Sequence, residues 1–213
     1  MSSNTAETRN SAESSNNGVE EGRKQRRITI ITGNERKRKD IARHIGDQIE
    51  YEFVEMEIEE IQGTAQEIIR KKLEEAHKIA KGPVIVEDYS LYIDVLKGFP
   101  GPYVKFLLVN GELGEIVKNL RPLGEITCRS ECVYGYIDEN NKAHIFSADT
   151  KGVLVPAESE TRGNWGIDSC LIQEGTTKPY RYLTEEEQDR VSIRKRTIEK
   201  LLKHIKNSVS SAN

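Results

Sequence analysis

GPVIVEDYSLYIDVLKGFPGPYVKFLL, residues 82–108, is the stretch from which the architecture is read. It opens on a β-branched apolar run, Val84-Ile85-Val86, bounded upstream by Gly82-Pro83. Such a run reads as a buried strand, although periodicity alone does not separate strand from helix over so few residues. The run stops at two adjacent carboxylates, Glu87 and Asp88. In an α/β protein the carboxyl end of a buried strand is where ligands and reacting groups collect. Two neighbouring carboxylates repel unless a cation sits nearby or one takes a proton. Lys105 follows 17 residues later, beyond a Gly-Phe-Pro-Gly-Pro turn. Strand, acid pair, rigid loop and lysine are the parts a magnesium–phosphate site uses. The same acids would also suit the N-cap and first turn of a helix, and the lysine an ordinary surface position.

Working outward, Ile28-Thr29-Ile30-Ile31 reads as a strand that Thr32-Gly33-Asn34 turns into a helix from Glu35 to about Ile45. Gly33 permits close backbone approach, and the helix N-terminus offers unpaired N–H groups to an anion. Lys37 lies one turn in and can swing toward the same anion. The GxxxxGK[ST] phosphate loop is absent, and strand–TGN–helix alone is a weak signal. Tyr51 to Ile61 reads as a strand running into an acid-rich turn. Gln66–Lys81 reads as an amphipathic helix with Ile69, Leu73, Ala76 and Ala80 as its apolar stripe, completing a βαβ-like crossover. After the proline loop, Gly111–Leu120 reads as a short helix. Glu125–Tyr136 and Lys142–Ser147 form a hairpin around Asp138-Glu139-Asn140-Asn141, and Lys151–Val155 adds a strand. Ser192 to Ile205 is the last helix, with Ile198, Leu201, Leu202 and Ile205 inward.

The chain has 213 residues, room for one substantial domain. Charged residues make up 31% with a net charge of −3, a balance unlike a nucleic-acid coat, and no specific nucleic-acid partner is expected. No apolar run approaches the roughly 20 residues that span a bilayer, and the N-terminus lacks an apolar signal region. Cys128, Cys132 and Cys170 form no CxxC pair and suggest neither a disulfide framework nor a zinc knuckle, so a reducing, cytoplasmic setting is expected. Residues 1–27 divide into a Ser/Asn/Glu-rich leader, expected to be disordered, and a basic linker from Arg23 to Arg27. The folded domain is expected over residues 28–205, with 206–213 frayed.

In order, TGNERK (32–37), IEEIQG (58–63), VEDYSL (86–91), GFPGPYVKF (98–106), WGIDSC (165–170) and VSIR (191–194) resemble the motifs of the inosine triphosphate pyrophosphatase, or Ham1-like, family. VED followed by PGPYxK is the most specific part, and the resemblance spans about Ile28 to Ile205. It implies an α/β fold: a long, bent mixed sheet with flanking helices and two lobes around a central cleft. It implies a homodimer that hydrolyses non-canonical nucleoside triphosphates such as ITP, dITP and XTP to the monophosphate and pyrophosphate. Mg²⁺ is the implied cofactor, with Mn²⁺ able to substitute. Glu60 and Asp88 would hold the metal, Asp88 would also activate the water, and Glu87 would be a second acid beside them. Lys37 and Lys105 would hold phosphate oxygens as point charges, and the Thr32-Gly33-Asn34 turn would complete the cradle. The Maf-like nucleotide pyrophosphatases share the architecture but lack this TGN opening and this proline loop.

The base end departs from the family pattern. Where the family shows FGWDP, this chain has Trp165-Gly166-Ile167-Asp168-Ser169. Where it shows Ser/Thr-His-Arg, this chain has Ser192-Ile193-Arg194, and the lysine four residues before that serine is Gln188. Trp165, Gly166, Asp168, Gln188, Ser192 and Arg194 are therefore the expected substrate-contacting positions, with a donor missing at Ile193. Losing one buried donor typically changes discrimination by about 1–3 kcal/mol. The divergence and the Ser/Asn leader suit a plant-virus-encoded member or a eukaryotic paralogue. A nucleotide-binding scaffold with weak or no turnover is the alternative reading that Ile193 and Gln188 favour.

Overall fold

Val84-Ile85-Val86 does become a buried strand, and it continues through the acid pair. In the computed structural model, which describes residues 27–109, 113–157 and 166–210, strand β3 runs from Val84 to Ile93. The acids therefore lie mid-strand and cap no helix. The reason is the partner: all ten residues pair in antiparallel register with strand β5 (Ile126–Ile137), from Val84 opposite Ile137 to Ile93 opposite Cys128. Tyr89-Ser90-Leu91-Tyr92-Ile93 is rich in strand formers, so the ladder has no reason to stop at Asp88.

Strand β1 (Ile28–Ile31) is buried along its whole length and lies parallel to both β3 and β2 (Tyr51–Val54). Interior parallel strands read as continuous apolar runs for this reason. β2 ends at Val54, and the acid-rich segment from Glu55 to Glu60 is outside any strand, the turn its sequence predicts. A two-residue strand β4 (Pro100–Gly101) pairs with β3 inside the proline loop. β5 makes a long hairpin with β6 (Ala143–Leu154), one continuous strand where two were expected, and β7 (Leu171–Gln173) pairs beyond it. The seven-stranded mixed sheet has the order β2-β1-β3-β5-β6-β7, with β4 to one side on β3. In the hairpin turn the Asp138 carboxylate accepts from the Asn140 and Lys142 N–H groups at 2.8 and 2.9 Å. Asn141 takes the left-handed conformation there, at φ 61°.

The helices cover both faces. Helix α1 (Glu35–Ile45) is capped by Asn34, whose side chain accepts from the Lys37 N–H. Helix α2 (Ala65–Ala80) starts with a reciprocal cap between Thr64 and Glu67. Short helices α3 (Val104–Val109) and α4 (Leu113–Leu120) follow the proline loop. Helix α5 (Glu185–Val191) precedes α6 (Ile193–Ser210), which runs past Ile205, so part of the expected C-terminal fray is helical. α1 and α6 bury Ile41, Ile45, Ile198, Leu201, Leu202 and Ile205 against one sheet face. α2 buries Ile69, Leu73 and Ala76 against Val84 and Val86 on the other. Each of these isoleucine, leucine and valine side chains contributes about 1.5–3 kcal/mol when fully buried. Cys128, Cys132 and Cys170 are buried and unpaired, packed into the core. Among the described residues no helix is long and apolar enough to cross a membrane. The leader to Arg26, Gly111, Trp165 and residues 211–213 lie outside the described residues.

Candidate active site

The parallel register explains why an acid pair in mid-strand can still be reached. Ile30 pairs with Ile85, and β1 ends one residue later at Ile31. Past that point β3 continues without its parallel neighbour, and the Thr32-Gly33-Asn34 turn and the start of α1 take the place beside it. The carboxyl end that collects functional groups is thus that of β1, the shorter strand, a common location in α/β sheets.

Successive strand residues point to opposite faces, so the two acids meet different helices. Glu87 faces the α1–α6 layer with its side chain 1% exposed. Lys37 Nζ is 2.5 Å from Glu87 Oε2, an ion pair. Arg194 donates from Nε and Nη2 to Glu87 Oε1 at 3.4 and 3.2 Å, and from Nη1 to Asp40 Oδ2 at 2.6 Å. Burial alone would raise the Glu87 pKa, but Lys37 and Arg194 outweigh it and bring it down to about 2. Glu87 is a fixed anion and a poor proton acceptor.

Asp88 faces α2. Lys72 Nζ, on a side chain 11% exposed, donates to Asp88 Oδ1 at 3.3 Å, Glu60 Oε1 at 2.6 Å and the Glu87 carbonyl at 3.4 Å. Burial lifts the Asp88 pKa to about 6 against the pull of Lys72 and Lys37. Burial would lower the Lys72 pKa, but Asp88 and Glu60 hold it above the usual lysine range. Asp88 is the member of the pair able to exchange a proton near neutrality.

Lys72 was missed in the sequence, yet a signal was there. Ile68, Lys72 and Ala76 are spaced by four on α2, and both apolar neighbours are buried. A lysine on a buried helical stripe needs a carboxylate partner.

Lys105 stands elsewhere. Its ammonium, on α3, is 3.0 Å from both Glu57 oxygens, with the side chains 56% and 71% exposed. Glu57 in turn packs over the Thr32-Gly33-Asn34 turn, where a Cβ on Gly33 would meet Glu57 Cγ at 2.6 Å. Gly33 makes room for Glu57, and Glu57 brings Lys105 alongside the turn. An exposed pair of this kind is worth about 0–1 kcal/mol, so Lys105 can change partners cheaply.

The residues expected at the base end separate. Asp168, in the single turn Gly166–Ser169, is ion-paired with Arg36 of α1, a residue the sequence reading passed over. Arg194 is ion-paired with Glu87 and Asp40 in this arrangement. Gln188 donates its amide to the Tyr180 and Leu183 carbonyls at 3.2 Å, tying a loop down. Ser192 Oγ accepts from the Lys195 N–H at 3.1 Å, at the start of α6. Ile193 is 3% exposed and belongs to the core.

The donor set fits a hard divalent cation. Asp88 Oδ2 is buried without a hydrogen-bond partner, and the Glu60 carboxylate reaches the same lysine from the adjoining loop. Among the described residues no three His, Cys, Asp or Glu groups converge. Mg²⁺ is usually held this way, by one or two carboxylates completed by substrate phosphates and water.

The profile of the Ham1 family matches residues 28–204. The chain belongs to the Ham1 family. An inosine triphosphate pyrophosphatase of Puccinia graminis f. sp. tritici is 27% identical over 186 residues, 84% of this chain and 96% of the relative. One from Schizosaccharomyces pombe is 30% identical over 168 residues, 78% of this chain and 88% of the relative. Among solved structures, a HAM1 protein from Coxiella burnetii aligns with a TM-score of 0.71 at 18% identity, covering 85% of this chain and all of that one. The Staphylococcus aureus Ham1 protein aligns at 0.68 and 20% identity, covering 84% and 99%. These Ham1 neighbours share the mixed α/β fold.

Proposed function

We propose that this Ham1-family chain hydrolyses non-canonical nucleoside triphosphates such as ITP, dITP and XTP to the monophosphate and pyrophosphate, with Mg²⁺ as cofactor. The class of enzyme follows from the family: a nucleoside-triphosphate pyrophosphatase, a hydrolase acting on acid anhydrides. The observation that carries the reading is the placement of the two acids, Glu87 held between Lys37 and Arg194 on one face of the sheet and Asp88 beside Lys72 and Glu60 on the other.

A triphosphate carries more negative charge than this acid pair can tolerate unless cations surround it. Lys37, Lys72 and Lys105 supply that charge from α1, α2 and α3, with the turn at Thr32, Gly33 and Asn34 adding N–H groups. Mg²⁺, held by Asp88 and Glu60, would neutralise phosphate charge and align the α-phosphate. Asp88 orients the attacking water and takes its proton. The water oxygen bonds to the α-phosphorus, the bond from that phosphorus to the bridging oxygen breaks, and pyrophosphate leaves. Glu87, braced by Lys37 and Arg194, keeps β3 and α1 in register during the step. With Mg²⁺ bound, Asp88 and Glu60 would turn to the cation, and Lys72 would be left to contact phosphate.

A homodimer is part of the same proposal, and Phe99 and Phe106, 55% and 71% exposed, offer it apolar surface. So is a cytoplasmic setting, which suits three unpaired cysteines.

Product analysis tests the reading. ITP with Mg²⁺ should yield IMP and pyrophosphate in equal amounts, with release lost in EDTA. IDP and orthophosphate as products would place the cut at the wrong bond and overturn it.

A further inference from the structure

Two histidines touch far along the sheet from the acid pair, and the chemistry derived above uses neither. His144 lies on β6 and His204 on α6, with ring centroids 4.2 Å apart. Tyr136 of β5 and Phe146 of β6 complete the ring cluster, with centroids 6.4 and 5.4 Å from that of His204. His144 Nε2 is 2.8 Å from Asp138 Oδ2 in the hairpin turn. His204 Nε2 is buried without a hydrogen-bond partner.

The pair closes a longer seam. Arg196, Lys200 and His204 are spaced by four and share one face of α6. Arg196 Nη2 donates to the Asp149 carbonyl at 2.9 Å, and Lys200 Nζ donates to the Ser147 carbonyl at 2.6 Å. With His204 against His144 and Phe146, these three fasten the helix along β6. β6 pairs with β5 on one side, while β7 reaches only Gly152 to Leu154 on the other. Among the described residues, β6 from Ala143 to Thr150 is therefore a sheet edge, and edges that are not covered pair with other chains.

Histidine is the side chain that changes charge between pH 5 and 8. Asp138 brings one negative charge to the two rings and can balance one imidazolium, not two. Burial, and then His144 and Lys142, hold the His204 pKa below the usual imidazole value, and Asp138 pulls the other way. Glu139, in the same turn, acts on Tyr136. On α6 itself Lys200 is turned to Ser147, and Lys203 is exposed.

We propose that the His144–His204 contact is a pH-sensitive latch, closed while His204 is neutral and opened by its protonation, which frees the end of α6 and uncovers the adjoining edge of β6. The latch is at full strength above the free imidazole value of about 6.5 and weakens as pH falls below it. Opening is local. Ile198, Leu201 and Leu202 stay buried, and Arg194 lies ten residues upstream, about 15 Å along the helix.

The test is amide exchange over residues 201–208, corrected for its intrinsic pH dependence, between pH 7.5 and pH 5. Wild type should lose protection there by roughly three- to tenfold as one proton is taken up, with α2 unchanged. His204→Phe keeps a ring with no proton to accept and should show no such loss. His144→Gln removes the competing imidazole and should shrink it. NMR titration of the His204 ring in wild type reads the same device without a variant. Protection independent of pH in wild type, a loss of equal size in His204→Phe, or a His204 ring titrating at or above about 6.5 would each overturn the inference.

Discussion

Replacing Arg194 by methionine probes the brace behind the acid pair. Arg194 makes three polar contacts, two to Glu87 and one to Asp40, from a side chain 18% exposed. Breaking a buried pair by removing one partner costs about 3–5 kcal/mol, because the other charge is left uncompensated. Glu87 retains Lys37 at 2.5 Å on its second oxygen, which puts the loss at the lower end, about 3 kcal/mol. The Asp40 contact is nearer the surface and adds about 1 kcal/mol or less. Glu87→Gln leaves Arg194 and Lys37 facing each other without their anion, and should cost a similar amount. The double variant Glu87→Gln/Arg194→Met removes both charges and should lose much less than the sum, with a coupling energy of about 2–3 kcal/mol. Urea unfolding of the four proteins, at equal m-values, reads these differences directly. If Arg194→Met costs under about 1 kcal/mol, or the single effects simply add, the brace does not exist as described.

Three smaller perturbations test other joints. Asp138 has its pKa lowered below the usual range: burial would raise it, but His144 and the Lys142 and Asn140 N–H groups prevail. Its contribution is therefore present above the unfolded value of about 3.9 and fades as pH falls through the lower folded one. Asp138→Asn should cost about 1 kcal/mol at pH 7 and less at pH 3, and a melting-temperature difference constant across that range would contradict this. Gly152→Ala would set a Cβ 2.6 Å from the Ile172 carbonyl oxygen and 2.8 Å from Leu171 Cδ1. It should destabilise by about 2–3 kcal/mol by prying β7 from β6, and thermal unfolding at wild-type temperature would count against that pairing. The Tyr103 hydroxyl accepts from the Gly63 N–H at 2.7 Å and donates to its carbonyl at 3.3 Å. Tyr103→Phe should cost about 1 kcal/mol and loosen the loop carrying Glu60, seen as faster amide exchange at Gly63.

Much of the fold was legible because its signals are local. Ile28–Ile31, the Asp138–Asn141 turn and the α2 stripe each carry their pattern within a few residues. The length of β3 was not, since what carries it past Asp88 is a register with β5 some 40 residues away. The acid pair stood out through its charge, and Lys37 through its place after a turn. Lys72, Asp40 and Arg36 look like ordinary helical polar residues until the sheet brings Asp88, Arg194 and Asp168 beside them. Arg194 shows the converse: the right position in a motif does not say whether its donors face a substrate or a neighbouring carboxylate.

The central claim is that Asp88 does the chemistry while Glu87 holds the frame and the lysines take the phosphates. Its most direct test is pyrophosphate release from ITP by wild type and Asp88→Asn, each with Mg²⁺ and with EDTA, beside calorimetric binding of the nucleotide. Wild type should turn over only with Mg²⁺, and Asp88→Asn should lose at least about a hundred-fold in kcat while still binding. Asp88→Asn turning over at the wild-type rate, or wild type at the EDTA background, would contradict it.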